Sequence, residues 1–227
     1  MPSLLKPLLF VTVVAAACGG KTSSTTPTGT TPTPAGPVYL PLFEQGRSWT
    51  FALSTKTTPP SDMGEPSTDD AGTMTCTVAM AHDMGATKMA KVVCRASGDT
   101  DPGDGNAPSG YWVATPDGLW GFDGSQSMDQ VHAEIGKLDP KTMLIAAAPA
   151  ERRQELGDAD GGGDDGPEGL SVYAAKPGAA GAWCVSYVFA LGDEAGWEMC
   201  LAADRGIVAG SWFQAGATVV ETSYVAK

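Results

Sequence analysis

From Ser48 to Val225 the apolar residues recur mainly at every second position. In "TMTCTVAMA", Met74, Cys76, Val78 and Met80 alternate with Thr73, Thr75, Thr77 and Ala79, which puts the larger apolar groups on one face of a strand. "KMAKVVC" continues in phase with Ala90, Val92 and Cys94, after a turn at Asp83-Met84-Gly85-Ala86. Folding about Gly85 by hydrophobic matching sets Val78 against Val92, Met80 against Ala90 and Cys76 against Cys94. Facing strand positions lie about 4.5–5.5 Å apart, within reach of a disulfide.

The same rule predicts strands at Ser48 to Ser54, Leu170 to Ala175, Ala182 to Phe189, Trp197 to Ala202, Ile207 to Phe213 and Thr218 to Val225. "YWVAT-PDG-LWGFD" reads as a hairpin in which Pro116 presets φ, Asp117 tolerates the turn and Gly118 supplies a positive φ. Met128 to Leu138 is the only helical segment. Pro59 to Ala71 and Gly157 to Gly169 read as disordered spacers on composition. The expected fold is mainly β: antiparallel sheets, in a sandwich or half-barrel, of about ten strands with at most one short helix.

Cys184 and Cys200 leave two registers open. Closing the hairpin tightly on "GDEAG" puts Leu191 opposite Trp197 and leaves Cys184 about 13 Å from the partner of Cys200. A slip of four residues sets Cys184 against Cys200, Val185 against Met199 and Tyr187 against Trp197, with a wider loop from about Val188 to Gly196. An even slip preserves every face, so hydrophobicity does not choose. The second register is preferred, because it leaves no unpaired thiols in an exported protein.

Export is read from the first residues. Lys6 precedes an apolar run, Leu8 to Ala17, too short to cross a bilayer core, which takes roughly twenty residues as helix. This is the layout of a signal peptide over residues 1–17. Ala15-Ala16-Ala17-Cys18 resembles the lipobox of bacterial lipoproteins, with Ala15 where that family prefers Leu; ordinary cleavage after Ala15-x-Ala17 is the rival. The resemblance implies that Cys18 becomes the first mature residue and carries the lipid. Removing Cys18 from the odd count of five cysteines leaves two pairs, Cys76–Cys94 and Cys184–Cys200. Residues 18–37 then form the lipidated cysteine and a Thr/Pro-rich tether, of up to about 60 Å if extended. Residues 38–227 form a single β domain. The expected partner is a membrane, reached through the N-terminal lipid, and the expected address is the cell envelope at the outer membrane.

Charge removes other partners. Lys and Arg number 14 against 26 Asp and Glu, a formal net charge of −12, and cleavage after Ala17 would remove Lys6 and make it −13. Nucleic acid and anionic headgroups call for clustered Lys and Arg, so nucleic-acid binding is excluded. One Asn (Asn106) and three Ile (Ile135, Ile145, Ile207) in a chain rich in Ala, Gly, Pro and Asp suggest a GC-rich genome.

Reactive chemistry is sparse. His82 and His132 lie fifty residues apart and read as solvated, and no HExxH, CxxC, P-loop or GxSxG occurs. The four body cysteines lack the short spacing of a zinc set. Asp158, Asp160, Asp164 and Asp165 offer oxygen ligands suited to Ca²⁺, but Gly169 stands where an EF-hand has its bidentate Glu, so a solvated linker is the better reading. No metal, cofactor or catalytic residue is expected. Of the six Trp, Trp49, Trp120 and Trp197 are candidates to line an apolar groove, with core packing the commoner role for strand aromatics.

"YLPLFEQGRSWTF", through Pro41, Leu42, Gly46, Trp49 and Phe51, resembles the opening strand of uncharacterised bacterial envelope lipoproteins. "YWVATPDGLWGF", "AWCVSYVF" and "GIVAGSWF" are similar to lipoproteins of this kind from myxobacterium-like genomes. The resemblance implies no activity. Three classes are therefore weighed: a non-catalytic structural or binding module with no identified protein partner, a half-barrel carrier of an apolar ligand, and an enzyme, for which no nucleophile or base stands out. An unfilled concave sheet face would favour the carrier and a packed core the module.

Overall fold

In the strand β1 (Ser48–Thr58), Trp49, Phe51, Leu53 and Thr55 are buried while the residues between them are exposed. This is the period-two pattern of a strand with one face in a core. The computed structural model describes residues 36–60, 65–97, 108–157, 169–191 and 193–227. Within them β1 is followed by β2 (Thr68–Met84), β3 (Thr87–Ala96), β4 (Gly110–Ala114), β5 (Gly118–Phe122), the helix α1 (Met128–Ile135) and β6 (Ile145–Ala146). Then come β7 (Arg152–Gly157), β8 (Leu170–Pro177), β9 (Trp183–Leu191), β10 (Asp193–Ala202), β11 (Gly206–Ala215) and β12 (Val219–Ala226). Among the described residues the protein is mainly β, with one α-helix.

All twelve strands belong to one antiparallel sheet in the order β6-β5-β4-β3-β2-β1-β12-β11-β10-β9-β8-β7. Every strand pairs with its neighbour in sequence except β6 with β7, and β1 pairs with β12. The result is an up-and-down meander, joined where the domain's first and last strands meet and open between β6 and β7.

The sheet curls into a half-barrel. Trp112 on β4 and Trp197 on β10 are six strands apart, about 29 Å on a flat sheet at ~4.8 Å per strand, yet their ring centroids are 6.1 Å apart. The edges approach as well: the Arg152 guanidinium on β7 donates to the carbonyls of Met143 (2.5 Å), Lys141 (3.0 Å) and Pro140 (3.3 Å) beside β6. Such a clasp protects sheet edges that would otherwise offer unpaired backbone groups.

The concave face holds one continuous core that includes Phe51, Met74, Val92, Trp112, Val185, Met199, Ile207 and Tyr224. Buried Thr55 and Thr222 satisfy each other across β1 and β12 (Oγ1–Oγ1 2.9 Å). Leu40–Phe43 forms a 3₁₀ turn whose buried Pro41 and Leu42, with Tyr39, lie at one end of the sheet. The entry "YLPLF" is therefore a turn, and the strand begins only at Ser48. On the convex face, Met89, Tyr111, Val113 and Val131 form a second cluster under α1, so all five residues of β4 are buried. A capping box starts α1: Ser127 Oγ accepts from the Gln130 N–H, and Gln130 Oε1 accepts from the Ser127 N–H.

Several expectations need correction. Cys76 faces Cys94 and Val78 faces Val92, but Met80 faces Lys91, and Ala81 takes the place opposite Ala90. A β-bulge between Val78 and Met80 adds a residue to β2 and turns Met80 outward, where it packs on the cluster under α1. In β9–β10 the preferred register holds at Cys184–Cys200, Val185–Met199 and Tyr187–Trp197. The expected wide loop is absent, because pairing continues to Leu191 opposite Asp193. Thr68 to Ala71, assigned to a spacer, pair with Ser54 to Thr57 of β1. Gly157, also assigned to a spacer, ends β7.

The strands β6 and β7 were not anticipated. Gly118 is not among the glycines with positive φ; its lack of a side chain leaves room for the Ile145 carbonyl and the Met143 side chain. The β2–β3 turn does use positive φ, at Gly85 (+81°), whose N–H donates to Asp83 Oδ1.

Candidate functional site

Register on the second half of the sheet aligns aromatic residues. Tyr173 on β8 faces Tyr187 on β9, Tyr187 faces Trp197 on β10, and Trp197 faces Trp212 on β11. Side chains at one level of adjacent strands share a face, so these rings form a row on the concave side. Tyr173 and Tyr187 have centroids 5.0 Å apart, and Tyr187 and Trp197 6.3 Å apart. The curl brings Trp112 edge-on against Trp197 from the other half.

Between these two walls lies a cavity of about 250 Å³. Tyr173, Tyr187 and Trp197 line one side; Trp112, Gly121 and Leu144 line the other, with Ser109 and Asp123 adding polar groups. Gly121 keeps it open, since a Cβ there would already lie 3.1 Å from the Trp112 ring and 3.2 Å from Leu144. Trp112 is almost fully buried, with its indole N–H donating to the Pro108 carbonyl (3.1 Å). Tyr173, Tyr187 and Trp197 are half-buried and supply the accessible ring surface, whereas the Phe122 side chain turns to the convex cluster under α1.

Burial, and secondly the neighbouring Tyr187, pushes the Tyr173 phenol up to about 12. Tyr173 therefore presents a neutral hydroxyl at physiological pH, and Tyr187 shares a hydrogen bond with Ser171 Oγ (3.4 Å). Asp123 is exposed, with Oδ1 accepting from the Ser125 N–H (2.7 Å). Among the described residues it is the only charged one lining the cavity.

The candidates read from sequence scatter. Trp49 lies beside the β10–β11 turn, donating to the Arg205 carbonyl (2.7 Å) with the Arg47 guanidinium 5.7 Å over its ring. Trp120 donates to the Asp139 carbonyl (3.0 Å) and lines a separate, open groove of about 570 Å³ with Ile135, Leu138 and Met143. Of the three groove candidates, only Trp197 reaches the cavity. Its partners Trp112, Tyr173 and Tyr187 were not singled out, although the facing of Tyr187 and Trp197 was one clue. His82 near the β2–β3 turn and His132 on α1 are both exposed, and neither lines the cavity.

Cys76–Cys94 and Cys184–Cys200 are both disulfides. The one convergent His/Cys/Asp/Glu group among the described residues is Cys184, Glu198 and Cys200, but its two sulfurs are bonded to each other, so it offers no thiolate to a metal. Cys18 and the acidic segment Asp158, Asp160, Asp164 and Asp165 lie outside the described residues.

Two internal disulfides place this chain in an oxidising, non-cytoplasmic compartment. Among the described residues no helix is long and apolar enough to cross a membrane. No protein-family model matches the chain, and no curated protein matches it in sequence.

Proposed function

We propose that this protein is an exported, non-catalytic binding module, held at the outer membrane of a bacterial envelope by lipid on Cys18. The observation that carries the reading is the concave sheet face. It is filled by the protein's own side chains, and its accessible volume is a cavity of about 250 Å³ walled by aromatic rings. A carrier of a long acyl chain needs a larger open interior, since pockets for drug-sized ligands run about 300–1,000 Å³. Catalysis calls for titratable groups held in convergent pairs. Here neither His82 nor His132 lines the cavity that holds the Asp123 carboxylate. The lipobox-like "AAAC" and the Thr/Pro-rich segment after it support the anchor.

Two measurements test the reading. Cys18→Ser should move the protein out of the membrane fraction or stall its processing, and intact mass should show acyl chains on the wild-type amino terminus. An unmodified Cys18 would remove the anchor from the proposal. A fluorescent long-chain fatty acid titrated into the purified domain should not saturate a site; saturable micromolar binding would favour the carrier.

A further inference from the structure

The geometry points to a methylated ammonium group as the ligand of the aromatic cavity. This rests on the reading of the domain as a binding module and names the chemistry it would recognise. The faces of Trp and Tyr rings carry negative quadrupole potential, and several rings around a desolvated cation attract it more strongly than one exposed ring does. Tyr173, Tyr187 and Trp197 supply three such rings at one level of adjacent strands, and Trp112 stands edge-on across from Trp197.

Charge is complementary to a cation. Among the described residues the cavity is lined by no lysine or arginine and by one charged residue, Asp123, and the chain as a whole carries −12. An anion would meet that carboxylate and no counter-charge. The volume admits a compact headgroup and not an extended chain. The protein makes the same kind of contact on its outer face, where Lys91 Nζ lies 4.7 Å from the Tyr111 ring. A quaternary ammonium suits the cavity better than a primary one, because its methyl groups shed water at little cost and no hydrogen-bond donor is left unpaired among the rings.

Choline is the probe, titrated into the full mature protein while tryptophan fluorescence is followed, with its neutral carbon isostere (tert-butyl in place of trimethylammonium) run in parallel. Choline should give a saturable change and bind at least about tenfold more tightly than the isostere. Trp197→Ala should weaken choline by about tenfold. Because that change also touches packing, Asp123→Lys is the second variant: it alters an exposed side chain, and it should abolish measurable binding while circular dichroism stays unchanged.

Phosphocholine in a further arm identifies the source of the group. Weaker binding than choline assigns a free cation, and tighter binding a lipid head. Equal affinity for choline and the neutral isostere, or no saturable change with choline, would overturn the inference. Acylation of Cys18 and membrane fractionation are independent of these titrations, so failure here leaves the anchored module standing.

Discussion

In the β2–β3 hairpin the Cys76–Cys94 bridge points into the half-barrel, and both cysteines belong to the concave core. In β9–β10 the bridge points out. Val185, Tyr187, Trp197 and Met199 alternate inward, so Cys184 and Cys200 share the convex face with Glu198, which pairs with Lys176 at 2.6 Å. The two staples close loops of similar length, with separations of 18 and 16 residues. They differ in the parity of the cysteine positions. An inward bridge occupies core volume, whereas an outward bridge leaves the concave face of its hairpin free for aromatic side chains. The first hairpin therefore builds packing and the second builds a cavity wall.

The sharpest way to break this comparison is to delete each staple. On the chain-entropy model each should contribute about 3 kcal/mol. Cys76→Ala with Cys94→Ala also opens a void in the concave core, which adds a cavity cost on the order of 1–2 kcal/mol. Urea denaturation should therefore show the inner double variant losing more stability than Cys184→Ala with Cys200→Ala. Equal losses would mean that the inner bridge acts on the unfolded chain alone.

Reduction under native conditions comes next. Cys76 and Cys94 are at most 7 % exposed and lie in the concave core; Cys184 is 6 % exposed, but its partner Cys200 is half-buried on the outer face and gives a reductant access to that bridge. Alkylation and mass spectrometry after brief thiol treatment should find Cys184 and Cys200 labelled first, with Cys76 and Cys94 following only as the domain unfolds. Simultaneous labelling would erase the distinction between the faces.

The smallest expected effect concerns Tyr173 in the cavity wall. Its phenol ionises near 12 in place of the usual 10. The unfolded chain releases this proton first as pH rises, so the contribution is intact below pH 10 and is lost through about pH 12. Spectrophotometric titration should show a late tyrosinate step that Tyr173→Phe removes, together with a shallower loss of stability over that window.

Much of the first hairpin is legible from alternation alone, because burying one face makes a one-residue slip costly. The bulge is not legible: period two runs without a break from Met74 to Met80, and only α1, waiting on the convex face, rewards turning Met80 outward. β6 has two residues, and β7 is the polar run "RRQELG", half solvated at a sheet edge, so neither carries an apolar signature. Thr68 to Ala71 reads as a polar linker, and its pairing with β1 is a backbone interaction that composition does not record.

The candidate cavity divides the same way. Tyr187 facing Trp197 follows once Cys184 is set against Cys200, since register propagates along a ladder. Trp112 meets that row from a strand more than eighty residues earlier in the chain, a contact that arises only when the sheet curls. Local sequence thus determined the strand faces, the turns and the cysteine pairing, because these depend on side-chain alternation and short loop closure. Which apolar face became core, which became cavity, and that the two ends of the meander meet at Arg152 were decided by the accumulated curl of twelve strands, a property no single segment carries.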